Sequence, residues 1–284
     1  MKKLLAGMIV LLSVVAFANA AETAEAPVAP TPSETAIEGF TTTVDLTYVS
    51  KYIWRGFNIY GSKGAFQPSV DFAHDCGFSA NVWMSYPVGS GENDAGSSIN
   101  QDLTEYDYTL AYSNSIMEDV YQTNYKVGWR YYDFTKASTK DNDMQEFLLE
   151  FDMPNIIGNG FVPRGAWYQM WNSESGGANS GAGGSIFALG FGYDFTLEQA
   201  PELPMTFSWD IVYNGGAGAP TEAGVAVGEV AHDWSHQVFG LSTVIDCPVT
   251  NGKIVPAIYW QDSLEDTVND SDELWAGISF SMDF

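Results

Sequence analysis

The last eleven residues, Leu274 to Phe284 (LWAGISFSMDF), alternate with period two. Leu274, Ala276, Ile278, Phe280, Met282 and Phe284 share one parity, while Gly277, Ser279, Ser281 and Asp283 share the other. Successive side chains of a strand point to opposite faces, so this segment reads as a strand with one apolar and one polar face. It ends on a phenylalanine. Alternation alone does not say which face meets water, and the rest of the chain bears on that.

At the other end, Met1-Lys2-Lys3 is a short basic stretch, followed by the apolar run Leu4–Phe17. That run falls short of the roughly 20 residues a spanning helix needs. Ala18-Asn19-Ala20 supplies a small-residue cleavage site, so residues 1–20 read as a secretory signal peptide cut after Ala20. No cysteine follows the site, which argues against a lipoprotein. Residues 21–40 (AETAEAPVAPTPSETAIEGF) lack apolar periodicity and read as a flexible extension; the barrel is expected over 41–284.

Composition narrows the class. Without Lys2 and Lys3 the chain keeps 9 basic against 36 acidic residues, a formal charge of −27. Such a charge argues against nucleic acid and anionic membrane surfaces as partners. Aromatic residues make up 14%, which opposes the disorder that high net charge otherwise suggests. Cys76 and Cys247 are the two cysteines, too few to frame a fold of this size.

From Thr41 onward twelve alternating segments follow: Thr43–Arg55, Phe66–Phe72, Phe78–Tyr86, Leu103–Tyr112, Tyr121–Phe134, Glu146–Met153, Val162–Trp171, Ile186–Phe195, Met205–Tyr213, His236–Asp246, Ile254–Gln261 and the closing strand. Connections after even-numbered strands are short; those after odd-numbered strands are generally longer and polar. An even strand count with short turns on one side and long loops on the other is the layout of an outer-membrane barrel, with the turns in the periplasm. The expectation is an all-β, twelve-stranded antiparallel transmembrane barrel, apolar face outward, in the bacterial outer membrane. Lipid is then one partner. The barrel-assembly machinery, engaged through the strand ending in Phe284, is another. Pro68 and Pro256 fall inside predicted strands and read as bulges or strand starts.

Twelve strands tilted by about 40° and spaced by about 4.8 Å give a radius on the order of 12 Å, so inward side chains decide whether a pore exists. By parity the inward set is Asp45, Lys51, Arg55, Asp71, Glu105, Asp107, Lys126, Arg130, Glu150, Asp152, Asp194, Asp210 and Asp283. Lys126 and Arg130 on strand 5 lie between Glu105 and Asp107 on strand 4 and Glu150 and Asp152 on strand 6. Lys51 and Arg55 form a basic step on strand 1. Cross-strand pairs here either brace a nearly closed barrel or form a constriction that orients a solute. Trp83 reads inward, whereas strand 7 has aromatics on both parities and leaves Trp167 and Trp171 unplaced.

Catalytic and metal readings are weaker. Ser235 and His236 are adjacent, so within a regular strand they point to opposite faces, and no G-x-S-x-G elbow is present. The carboxylates Asp266, Asp270 and Asp272 crowd one outer loop and are weak Ca²⁺ candidates; their spacing matches no EF-hand, and a hydrated acidic loop is the plainer reading. No cofactor is expected.

The segment Val49–Phe72 (VSKYIWRGFNIYGSKGAFQPSVDF) resembles the start of the TorF-like putative porin family of Gram-negative bacteria. That resemblance implies an outer-membrane barrel with a transport role, and it supplies no catalytic motif. The reading is a porin-like channel for small solutes or ions that prefers cations. The alternatives are a non-conducting structural or adhesive barrel and, with least support, an outer-membrane hydrolase.

Overall fold

The computed structural model describes residues 39–92, 98–99, 104–135, 143–173, 183–218 and 230–284. The predicted signal peptide and nearly all of the extension lie outside them. Twelve long strands form the wall: β1 (Phe40–Val49), β2 (Gly64–His74), β3 (Phe78–Val88), β4 (Glu105–Ile116), β5 (Thr123–Phe134), β6 (Met144–Asp152), β7 (Phe161–Asn172), β8 (Gly184–Leu197), β9 (Ala200–Gly215), β10 (His232–Thr243), β11 (Lys253–Ser263) and β12 (Glu273–Asp283). Each pairs antiparallel with its sequence neighbour, and β1 pairs with β12, so the sheet closes on itself. Closure leaves no unpaired edge. Among the described residues the one helical turn is Asp119–Tyr121.

Alternation sets the two faces. On β4, Glu105, Asp107 and Thr109 are buried inside, while Tyr108 and Leu110 are exposed outside. The pattern recurs around the wall, and Leu110, Leu189 and Leu274 are 59%, 54% and 60% exposed. Aromatics flank these aliphatic positions. Tyr48, Trp171 and Trp234 are exposed toward the long loops, and Phe40, Phe78 and Tyr193 toward the short turns. An exposed apolar band between aromatic rims is the outer surface of a membrane barrel. Trp167 and Trp171 belong to this outer face, because Arg164, Ala166, Tyr168 and Met170 take the inner one.

Three local expectations are corrected. Strand 1 ends at Val49, not at Arg55; the chain then turns into the lumen. Pro68 and Pro256 are neither bulges nor strand starts. Both sit mid-strand in unbroken register, with pairing lost on one side only: Pro68 toward β3 and Pro256 toward β10. A missing N–H removes one ladder bond, and the remaining register carries the strand through. The third concerns Ser235. Val212 faces His236 and Tyr213 faces Trp234, so Ser235 is the extra residue of a β-bulge. The bulge turns Ser235 and His236 to the same, inner side, where both are buried.

Cys76, in the β2–β3 turn, and Cys247, in the β10–β11 connection, are not bonded to each other.

Candidate functional site: the lumen

The lumen is occupied on its loop side by the connection between β1 and β2. Residues 50–63 (SKYIWRGFNIYGSK) enter the barrel as a narrow ribbon. Ile53 pairs with Asn58 and Trp54 with Phe57, joined by Arg55-Gly56. Both turn residues have positive φ, +48° for Arg55 and +96° for Gly56, as the tight two-residue hairpin turn requires. At Gly56 a side chain is excluded twice over. The backbone is left-handed, and a Cβ would sit 2.5 Å from His236 Nδ1. Arg55 takes the strained conformation because its guanidinium is held from outside the turn, as follows.

The ribbon is among the most buried stretches of the chain, with Phe57 and Tyr60 both at 0% exposure. Each fully buried large apolar side chain contributes about 1.5–3 kcal/mol relative to exposure. Trp54 stacks on Phe57 with centroids 5.9 Å apart and meets Tyr132 of β5 edge-on at 5.8 Å. Tyr52 packs on Trp83 of β3 at 5.8 Å. Ile53 reaches the opposite wall at Val238 and Trp275.

Carboxylates on three wall strands receive its polar groups. Arg55 Nη1 donates to Glu146 of β6, and the guanidinium lies 3.8 Å over the Tyr168 ring of β7. Tyr52 Oη donates to Glu105 Oε2 of β4 at 3.1 Å. Glu273 of β12 accepts from Lys51 Nζ at 2.5 Å and from Asn58 Nδ2 at 2.7 Å. Burial pushes the Tyr52 and Tyr60 hydroxyls well above the usual tyrosine range, and the charges of Glu105 and Asp107 add to the effect. The Gly56 carbonyl accepts from Gln261 Nε2 at 3.0 Å and from Asn269 Nδ2 at 3.1 Å. The second bond draws the β11–β12 loop over the ribbon, with Val268 fully buried.

The turn side is different. Its inward positions carry short polar groups and ion pairs. Arg164 of β7 grips Asp210 of β9 at two points, Nε–Oδ1 2.9 Å and Nη2–Oδ2 2.5 Å. Gly190 of β8 stands between them in register, and a Cβ there would press on Asp210. The missing side chain lets the pair close across an intervening strand. Asn124 Nδ2 donates to Asp152 Oδ1 at 2.7 Å, and Lys126 lies 4.0 Å from Glu150. Thr47 donates to Asp45 at 2.5 Å.

The predicted lumen residues thus separate by height. Glu105 and Asp107 lie opposite Phe134 and Tyr132 on β5, above Lys126, which faces Ser113 and Glu150. Arg130 faces Thr109 and Glu146, and its Nε donates to Thr109 Oγ1 at 3.0 Å. Lys51 and Arg55 are not on a wall strand; they reach the lumen on the ribbon. Asp194 keeps inward parity but is exposed at the turn end, hydrogen-bonded by Thr206. Three charged groups of the lumen were missing from the parity set: Glu146, Arg164 and Glu273. Glu146 shares the parity of Glu150 and Asp152, which was the available signal. Arg164 was hidden by the unphased aromatics of strand 7.

Asp266, Asp270 and Asp272 are exposed on the β11–β12 loop; Asp270 accepts from Ser271 and Asp272 from the Ser263 amide. Ser235 Oγ and His236 Nδ1 are 2.9 Å apart, contrary to the opposite-face expectation. Both are sealed beneath the ribbon, and Ser235 Oγ also reaches the Val212 carbonyl at 3.2 Å. The contact is part of the packing under Gly56.

The profile of a family described as bacterial protein of unknown function (Gcw_chp) matches residues 33–185, more than half of the chain. The chain belongs to that family. The match includes the whole ribbon and the strands that supply Glu105, Glu146 and Arg164. Among curated proteins no relative matches the sequence. Solved structures with a similar chain path include two porins and one further protein. The KdgM porin in complex with disordered oligogalacturonate has 6% identity and a TM-score of 0.47, covering 85% of this chain and 99% of that one. For the NanC porin the values are 7%, 0.49, 85% and 98%. For OprD of Pseudomonas aeruginosa they are 8%, 0.38, 87% and 94%.

Proposed function

We propose that this protein is an outer-membrane, porin-like channel that passes small solutes or ions and prefers cations. The observation that carries the reading is the inversion of its two faces. Leucines and aromatics are exposed outside, while Asp107, Glu146, Glu150, Asp152 and Arg164 are buried inside. A soluble barrel has no reason to turn its charges inward. A membrane barrel places them around its axis. Carboxylates outnumber cations in the lumen, and a like-signed narrow path concentrates counter-ions. The apolar run Leu4–Phe17 and Ala18-Asn19-Ala20 support export, and the resemblance of Val49–Phe72 to the TorF-like putative porins supports a transport role. Delivery to the membrane through the C-terminal strand and Phe284 belongs to the same proposal. Refolded protein in a planar bilayer under a salt gradient tests it: the reversal potential falls on the cation side, and an anion-selective current overturns the preference.

A second reading has an observation of its own. The ribbon fills the loop half of the lumen, as expected of a non-conducting structural barrel. Conductance separates the two.

A further inference from the structure

The ribbon differs from the wall in how it is held. Residues 50–63 carry three cations, Lys51, Arg55 and Lys63, and no carboxylate, although the chain as a whole is strongly acidic. Between Tyr52 and Tyr60 its described backbone–backbone hydrogen bonds are internal: Ile53 with Asn58, Trp54 with Phe57, and Ile59 N to Tyr52 O at 3.0 Å. Main-chain attachment to the wall occurs at the entry, where Ser50 N donates to Ala276 O at 2.8 Å. The exit, Gly61-Ser62-Lys63-Gly64, has two glycines, and Gly61 has a φ of +56°. Between these ends the ribbon meets the barrel through its own side chains and, at the Gly56 carbonyl, through those of Gln261 and Asn269. The ribbon is therefore a separate hairpin between two pivots, not an extension of the sheet.

Its polar attachments are incomplete. Arg55 Nε and Nη2, Trp54 Nε1 and Glu146 Oε1 are buried without hydrogen-bond partners. Each unmet buried group costs free energy while the ribbon is seated and regains water when it leaves. The carboxylates it occupies, Glu105, Glu146 and Glu273, are the groups that a permeating cation would meet on the loop side.

We propose that residues 50–63 are a tethered cationic gate: the ribbon occupies the cation path at Glu105, Glu146 and Glu273 and leaves it by turning about Ser50 and Gly61–Gly64. This rests on the channel reading above. Release exposes Ile53 and Phe57, so the closed state dominates and openings are brief. Permeant cations and the ribbon compete for the same carboxylates, and neutralising one of them favours opening.

The experiment uses the full chain in planar bilayers with Cys76→Ser and Cys247→Ser as background. Ile53→Cys and Val238→Cys are joined by a short bis-methanethiosulfonate, each thiol forming a disulfide with the linker as methanesulfinate leaves, with the joint verified by mass. Glu273→Gln, and a variant with residues 52–60 replaced by a glycine-serine linker, complete the set. The joined protein is expected to be silent and the unjoined one to open intermittently. Glu273→Gln lengthens the open fraction by about tenfold, the loss of one charge-assisted hydrogen bond. The linker variant conducts continuously. Equal conductance with and without the joint overturns the gate. So does an unjoined protein that stays silent beside a conducting linker variant, since the ribbon is then a permanent plug. A silent linker variant overturns the channel reading itself.

Discussion

On the loop side of the lumen, Tyr52, Ile53, Phe57 and Tyr60 are packed against Trp83, Tyr132, Tyr168 and Trp275, like the interior of a soluble domain. On the turn side the inward positions are Asp45, bonded along its own strand by Thr47, and the pairs Asn124–Asp152 and Arg164–Asp210, held by hydrogen bonds across the strands. One wall builds both halves, and the difference comes from what each carries inward. Large aromatic residues face the ribbon on the loop side; on the turn side the buried inward positions are polar residues and ion pairs. The acidic excess therefore acts in two ways: it holds a cationic segment above, and it lines a polar approach below.

The comparison breaks first at the buried ion pair. Arg55→Met removes the cation hydrogen-bonded to the sealed Glu146. It is expected to cost about 3–5 kcal/mol of unfolding free energy, and Arg55→Met with Glu146→Leu to recover most of that. Urea titration of protein folded in lipid vesicles measures both; a single-variant cost below about 1 kcal/mol contradicts a sealed loop half.

Next comes the wall itself. Phe191 is outward and Ser208 inward. Phe191→Arg near the bilayer midplane is expected to cost about 2–4 kcal/mol, and Ser208→Arg less. Equal or reversed costs in the same titration would show that the faces are exchanged.

Lys126 gives the smallest effect. It lies 4.0 Å from Glu150, and its side chain is 25% exposed. Lys126→Met is expected to change stability by at most about 1 kcal/mol, and to shift the reversal potential further toward cations. A large loss of stability would place this pair in a sealed interior like that of the loop side.

Much of the wall was legible in the sequence because a period of two is a local property. The closing strand, the phase of strands 3, 4, 8 and 9, and the short-turn, long-loop asymmetry all follow from alternation and turn residues. The ribbon was not legible in that way. Ser50 to Arg55 continues a plausible strand pattern, and nothing local says that Trp54 turns inward to meet Tyr132. Burial there is decided by the far wall. Ser235 was misread for a related reason: one unpaired residue against β9 reverses the face, and parity counting assumes no such residue. Lys51 and Arg55 are read from parity as a step on strand 1, whereas the ribbon carries them.

The most direct test of an acidic lumen as the cation path is the reversal potential of the linker variant in a salt gradient, with and without Glu105→Gln and Asp107→Asn. The account predicts a cation-side potential that moves toward zero on the double substitution and weakens at 1 M salt, where the Debye length falls to about 3 Å. An anion-side potential, or one indifferent to both carboxylates, would contradict it.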